Sequence, residues 1–261
     1  MSKNIIFFDI DGTILSHRTL EISESTKAAI SQAQANGHLV FINTGRTLAE
    51  LDFDMFDLAF DGYVCGCGTY ILVGDQVLLQ ETIPSGITKL LIEDLRKYKI
   101  DGLLEGQTSV YYDTDMRHPV VKKLFKEHTK SNFKVSTWDD DQISIDKFCI
   151  WIDSESDFTS FYEKYKNTFQ FIQRSEHFFE IVPIGHSKGT GIQYLLNYYG
   201  IPKENTYALG DSTNDLTMLH SVKHSIAMGN AKTEVKEMVS FVTKDVDEDG
   251  VYHALKHFGL I

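Results

Sequence analysis

The sequence predicts an α/β fold whose core is interrupted by an inserted domain. Short apolar runs alternate with amphipathic, helix-length stretches at both ends of the 261-residue chain. That rhythm belongs to strands joined by helical crossovers. Two of the apolar runs end in clustered carboxylates, Asp9-Ile10-Asp11-Gly12-Thr13 and Gly210-Asp211-Ser212-Thr213-Asn214-Asp215. In open α/β sheets such strand ends form the ligand-binding edge. Between these two ends, residues 83–185 change texture, with many aromatics and charged loops.

Ile5-Ile6-Phe7-Phe8 reads as a buried strand feeding the first acidic turn. Ser23 is placed to cap a helix whose inner face carries Ala29, Ile30 and Ala33, with Gly37 closing it. A second strand, 38–43, delivers Asn43-Thr44-Gly45-Arg46 into a turn. From Tyr63 to Gln80 helical periodicity is weak, and Val73-Gly74-Asp75 suggests a turn between short strands. Ser85 is then expected to cap a helix with Ile87, Leu90, Leu91 and Leu95 on one face. Within the middle segment Phe158, Phe161, Tyr162 and Tyr165 recur at helical spacing, which is the mark of core packing. After Ser187 comes a helix bearing Ile192, Leu195, Leu196 and Tyr199, stopped by Gly200 and Pro202. A strand to Leu209 follows, and then further helices and strands in alternation.

Composition narrows the function classes. A net charge of -12 without a Lys/Arg-rich block disfavours broad nucleic-acid binding. No apolar run is long enough to span a bilayer, and Met1-Ser2-Lys3-Asn4 leads into a strand without a leader-like segment. Three cysteines cannot all pair within the chain, so a cytoplasmic location is expected.

Asp9 and Asp11, one residue apart, repel one another unless a cation or proton lies between them. A carboxylate nucleophile, a neighbouring acid/base and a divalent metal would make that closeness tolerable. Taken singly, each acidic stretch also suits a turn or a helix cap. Together they suit an oxygen-rich Mg²⁺ site, which needs few carboxylates when water and substrate phosphate complete it. Thr44 follows a strand and can hold phosphate oxygens, and Lys188 can offset charge on a transferring group.

In order, Asp9-Ile10-Asp11-Gly12-Thr13, Thr44-Gly45-Arg46, Lys188 and Gly210-Asp211-Ser212-Thr213-Asn214-Asp215 resemble the four motifs of the haloacid dehalogenase (HAD)-like hydrolase superfamily. Three further stretches resemble its Cof-type phosphatase branch. They are Glu180-Ile181-Val182-Pro183 before Ser187-Lys188-Gly189, Ala227-Met228-Gly229-Asn230-Ala231, and Asp249-Gly250-Val251. The resemblance implies a Rossmann-like parallel-sheet core (1–82 and 186–261) with a large inserted α/β cap domain (83–185) that closes over the site. It implies a Mg²⁺-dependent phosphatase acting on a small phosphorylated metabolite through an aspartyl-phosphate. Asp9 is then the nucleophile and Asp11 the acid/base. Mg²⁺ is held by Asp9, Asp211 and the Asp11 carbonyl, while Thr44, Gly45, Lys188 and Asn214 bind the phosphoryl group. Asp215 would orient Lys188 or the metal's surroundings.

Two departures stand out. Cys65-Gly66-Cys67-Gly68 occupies the place of the branch's usual Asn-Gly turn, and two buried thiols are expected there. Ser212-Thr213 replaces the more usual Gly-Glu while leaving both acids of that motif in place. A phosphomutase using the same intermediate, or a phospholigand-binding protein without turnover, remains open from sequence. A Rossmann-type nucleotide binder would want Gly-x-Gly-x-x-Gly after the first strand, which Asp9 to Thr13 does not offer. Cap residues Arg117, His118, Arg174 and Glu180 are polar candidates, each expected to be structural or on the surface. Oligomeric state is not legible.

Overall fold

Ile5–Phe8 has no polar side chain to satisfy, and all four residues are buried at the centre of an eight-stranded sheet. The computed structural model describes residues 3–261, the side chains of Asp54 and Met55 apart, so Met1 and Ser2, where the sequence reading expected no leader, lie outside it. Strand order across the sheet is Phe241–Val242, His224–Ala227, Thr206–Gly210, Ile5–Phe8, Leu39–Asn43, Gly62–Cys65, Tyr70–Val73 and Gln76–Gln80. The first six run parallel. From the central strand the chain proceeds outward in one direction early in the sequence and in the other direction late. That reversal opens a crevice at the carboxyl ends of Ile5–Phe8 and its two neighbours.

The chain divides into two compact units. One comprises the chain through Gly45, Phe53–Leu79 and Ser187–Ile261. The other comprises Arg46–Asp52 and Gln80–His186. The sequence reading put the breaks at 82/83 and 185/186 and kept 46–52 with the core. These contact-defined units differ from it by those few residues. In the second unit Ala49 packs on the cluster of Leu103, Val110, Tyr112 and Cys149, so the short 46–52 segment shares that unit's apolar surface.

Local signals account for most element ends. Ser23 Oγ accepts from Thr26 N at the start of the Glu24–Ala35 helix, which buries Ala29, Ile30 and Ala33. Ser187 caps Lys188–Tyr199, and Gly200 ends it at φ 64°, a left-handed position that a side chain disfavours. The helix at 85–97 departs from expectation. Ser85 is its first residue, and Pro84, in extended conformation, takes the cap position without a side-chain bond. Leu90 is 49% exposed while Leu91 and Leu95 are fully buried, because the buried stripe is narrower than the run of leucines suggests. Tyr162 is likewise exposed, although its ring meets Phe171 edge-on, whereas Phe161 and Tyr165 are buried. Among the described residues no helix is long and apolar enough to cross a membrane.

The second unit centres on a six-stranded sheet: Phe169–Ser175, Phe178–Pro183, Lys147–Trp151, Asp101–Glu105, Val110–Tyr112 and Val135–Thr137. One face is apolar, with Leu91, Leu95, Phe148, Phe161 and Ile181 in a single cluster. The register places Glu105 opposite Lys147. Lys147 Nζ lies 2.7 Å from Glu105 Oε2 and 2.8 Å from Glu180 Oε1, with Arg174 on the far side of Glu180 at 3.7 Å. Of the other polar candidates, Arg117 pairs with Asp101, Asp153 and Glu155, and His118 caps the Pro119–His128 helix.

Burial, and then the charge of Glu50, push the Glu105 carboxyl from 4.5 up to about 8, with Lys147 pulling the other way. A carboxyl raised on folding makes the folded state the stronger proton binder. Its stabilising contribution is full below its ordinary value and is lost as pH rises through about 8. Glu105→Gln has no such proton to lose. Relative to wild type, its denaturant midpoint is expected to improve steadily from mildly acidic to mildly alkaline pH, and a constant offset would refute this origin of the shift.

Candidate active site

The acids of this site stand where strands stop, and its lysine where a helix begins. Asp9 follows Phe8 directly, and its amide donates to Leu209 O at 3.1 Å, tying the first acidic strand end to the last. Beyond it the chain turns tightly, with Thr13, Ile14 and Leu15 amides all directed at Ile10 O. Asp11 sits in this turn, half-buried, close enough for its charge to oppose ionisation of Asp9. Gly12 adopts φ 77°, and a methyl group there would lie 2.5 Å from Asp211 Oδ2 and 2.9 Å from His17 Nε2. Glycine is therefore required at this position both by backbone and by space.

Lys188, 1% exposed, is the hub. Its Nζ donates to Asp9 Oδ1 and to Asp215 Oδ1, each at 2.6 Å. The other oxygen of Asp215 accepts from the amides of Asp211 (2.9 Å) and Ser212 (3.0 Å). Asp215 thus spends both oxygens on protein partners, one on the lysine and one on the turn that carries Asp211. Burial opposes the charge on Lys188, yet Asp215 and Asp9 outweigh it and hold the ammonium well above its ordinary range. Burial and Asp215 push Asp9 upward, against the pull of Lys188. Asp211 is raised to about 6, by burial first and then Asp215, with Lys188 and His17 working against the rise. Three acids and one cation leave the cluster short of positive charge.

That shortage and one orphaned atom define what fits. Asp9, Asp211 and Asp215 bring carboxylate oxygens within 4.8 Å of one another. Asp211 Oδ1 is buried and has no hydrogen-bond partner, a costly state that a cation would relieve. A hard divalent ion such as Mg²⁺ suits this all-oxygen set. Because Asp215 is already committed, Asp9 and Asp211 are the side chains left to bind it. Asp11 is not among the three clustered acids; the sequence reading assigned it through its backbone carbonyl rather than its carboxylate.

The remaining expected residues lie at neighbouring edges. Thr44, buried at the end of Leu39–Asn43, is clamped by its backbone: its N donates to Val64 O at 2.8 Å and its O accepts from Cys67 N at 3.1 Å. Gly45 follows it, half-buried. Cys67 reaches Thr44 by taking φ 56° in a turn where both Cys65 and Cys67 are buried. Asn214 is half-buried on the turn after Asp211, and Ser212 Oγ donates to its Oδ1.

Three residues escaped sequence reasoning. Asn43 Nδ2 donates to Lys188 O at 2.9 Å, anchoring the first turn of the helix that carries the lysine. Asn230 Nδ2 donates to Gly12 O at 2.7 Å, while its Oδ1 accepts from Val246 N at 2.9 Å. His17 faces Asp211 across the space above Gly12. A polar residue at the end of a buried strand was the available signal for Asn43; nothing local marked His17.

A model of haloacid dehalogenase-like hydrolases matches residues 6–255. The phosphatase-like protein YkrA of Bacillus subtilis (strain 168) is 31% identical over 278 residues, covering 100% of both chains. The 5-amino-6-(5-phospho-D-ribitylamino)uracil phosphatase YwtE of the same organism is 29% identical, covering 94% of each. Among solved structures, the HAD subclass IIB sugar phosphatase BT4131 superposes with a TM-score of 0.82 at 28% identity, covering 99% of this chain and 100% of that one.

Replacing Lys188 by Met would leave two buried carboxylates facing each other without their cation. Folding stability in metal-free buffer is expected to fall by about 3–5 kcal/mol. Adding Asp9→Asn to the Lys188→Met protein should recover part of that loss in urea denaturation. Equal stability of the single and double variants would show that the ion pair is not what holds this cluster.

Proposed function

Because the chain belongs to the haloacid dehalogenase-like hydrolases, we propose that this phosphatase hydrolyses phosphate monoesters of small polar metabolites, sugar phosphates or phosphorylated cofactors, at Asp9. The observation that carries the reading is Lys188 Nζ at 2.6 Å from both Asp9 and Asp215. A carboxylate approaching a phosphate dianion is repelled by it, and a fixed ammonium at the attacking oxygen offsets that repulsion. Positioning and charge stabilisation are most of what phosphoryl transfer requires.

In the first step an Asp9 oxygen bonds to phosphorus as the ester P–O bond breaks, and Asp11 gives its proton to the departing alkoxide. In the second, Asp11 takes a proton from water, the water oxygen bonds to phosphorus, and the Asp9–phosphorus link opens to free inorganic phosphate. One group thus serves as acid and then as base. Thr44, Gly45 and Asn214 hold the phosphoryl oxygens, and Asp215 keeps Lys188 charged and in place. Asp9, Asp211 and the Asp11 carbonyl would hold Mg²⁺, which would supply positive charge where negative charge gathers on the phosphoryl group. Relatives acting on a sugar phosphate and on a phosphoribitylamino compound support the substrate class. We assign the activity to the cytoplasm, in keeping with the three buried cysteines.

Phosphate release from a panel of phosphorylated sugars, nucleotides and vitamin cofactors, with and without Mg²⁺, tests this. Release is expected only with Mg²⁺ and only from wild type, with Asp9→Asn silent on every compound. Isomerised product without free phosphate would indicate a mutase, and tight ligand binding without turnover a binding protein; either result would overturn hydrolysis.

A further inference from the structure

Two polar atoms face each other across the space that Gly12 leaves open, Asp211 Oδ2 and His17 Nε2. The two oxygens of Asp211 are therefore differently placed. Oδ1 is buried without a hydrogen-bond partner, whereas Oδ2 looks across the gap toward the imidazole. The ring of His17 is exposed, but the backbone on either side of it is fixed. Ser16 Oγ accepts from the amides of Arg18 (3.1 Å) and Thr19 (3.2 Å), and Ser16 N donates to Glu21 O at 3.1 Å. The Arg18 side chain pairs with Asp247 Oδ2 at the surface (3.0 Å) and is no part of that turn's hydrogen bonding. The Ser16 bonds fix the His17 backbone, and its Nε2 lies beside the space that Gly12 leaves open.

We propose that His17 is a positioning residue for the divalent cation: its Nε2–H holds Asp211 Oδ2, directly or through one water seated above Gly12, and so presents Oδ1 to the metal. This rests on the reading above that Asp9 and Asp211 bind Mg²⁺. A carboxylate bonded through one oxygen alone turns freely about its Cβ–Cγ bond, and the ion then selects one orientation among many. Fixing the second oxygen removes that cost, which is why hydrogen-bond partners of metal-binding carboxylates matter to affinity. Gly12 has a second role here, since any side chain would fill the gap through which the two groups meet.

The test is Mg²⁺ binding to the full chain by isothermal titration, paired with melting temperature in metal-free buffer. His17→Ala is expected to raise the Mg²⁺ Kd about tenfold, the lower end of such effects because the ring is solvent-exposed, with the metal-free melting temperature unchanged. His17→Gln, whose amide can donate from a similar position, should return the Kd close to wild type. Arg18→Ala, which breaks only the neighbouring surface pair, should leave it unaltered. An unchanged Kd in His17→Ala would overturn the proposal. So would a Kd in His17→Gln as weak as in His17→Ala, or a loss in His17→Ala accompanied by a lower metal-free melting temperature. Wild type that binds no Mg²⁺ would overturn the metal reading together with this one, and is distinguishable because the parent protein itself is then silent.

Discussion

A single ammonium, Lys188 Nζ, lies 2.6 Å from two carboxylates contributed by opposite ends of the chain, Asp9 after the first strand and Asp215 after the strand Thr206–Gly210. Neither carboxylate would be tolerated in this buried place alone, and the lysine would not be either. The constraint explains much around it. The helix bearing Lys188 must begin beside these strand ends, so its first turn is fixed by the Ser187 cap and by Asn43 reaching the Lys188 carbonyl. The turn bearing Asp211 must be rigid, so Asp215 uses its second oxygen to bind two amides of that turn.

Sheet topology supplies the meeting point. The central strand Ile5–Phe8 is flanked by Leu39–Asn43 on one side and Thr206–Gly210 on the other, all parallel. Parallel neighbours end at the same edge, so three turns distant in sequence open side by side there. Around them the core is apolar: Phe7, Phe41, Val64, Ile192, Ala208 and Met218 fall in one buried cluster. This rigid layer lets charged groups be held close together at one edge, where electrostatic interactions are stronger than in water.

The second unit solves a different problem with similar means. Its sheet buries aromatic and aliphatic side chains on one face and, elsewhere, sets Lys147 between Glu105 and Glu180. Glu105 keeps an oxygen without a hydrogen-bond partner and is pushed toward neutrality by burial and Glu50. At Asp9 and Asp211 the excess of negative charge suits a divalent ion; at Glu105 burial and the charge of Glu50 favour the protonated form.

By itself the sequence determined the class of fold, the family, and the residue types at each strand end. Those are local properties: apolar runs, caps such as Ser23 and Ser187, and short motifs such as Asp9 to Thr13. It also singled out Lys188, although a lone lysine near a helix start carries no signal without the other motifs beside it. Local cues erred where tertiary packing decides. Leu90 faces solvent because the neighbouring surface covers the side of the helix that carries Leu91, Ile92 and Leu95, and Pro84 rather than Ser85 stands at the cap. Only the tertiary structure showed that Asp215 binds lysine and turn together, that Asn43 and Asn230 anchor the site's backbone, and that His17 faces Asp211. It alone joined Glu50 to Glu105. Each of these depends on the register of strands and turns far apart in the chain, and the energy of a buried charge depends on which groups that register brings within a few ångströms.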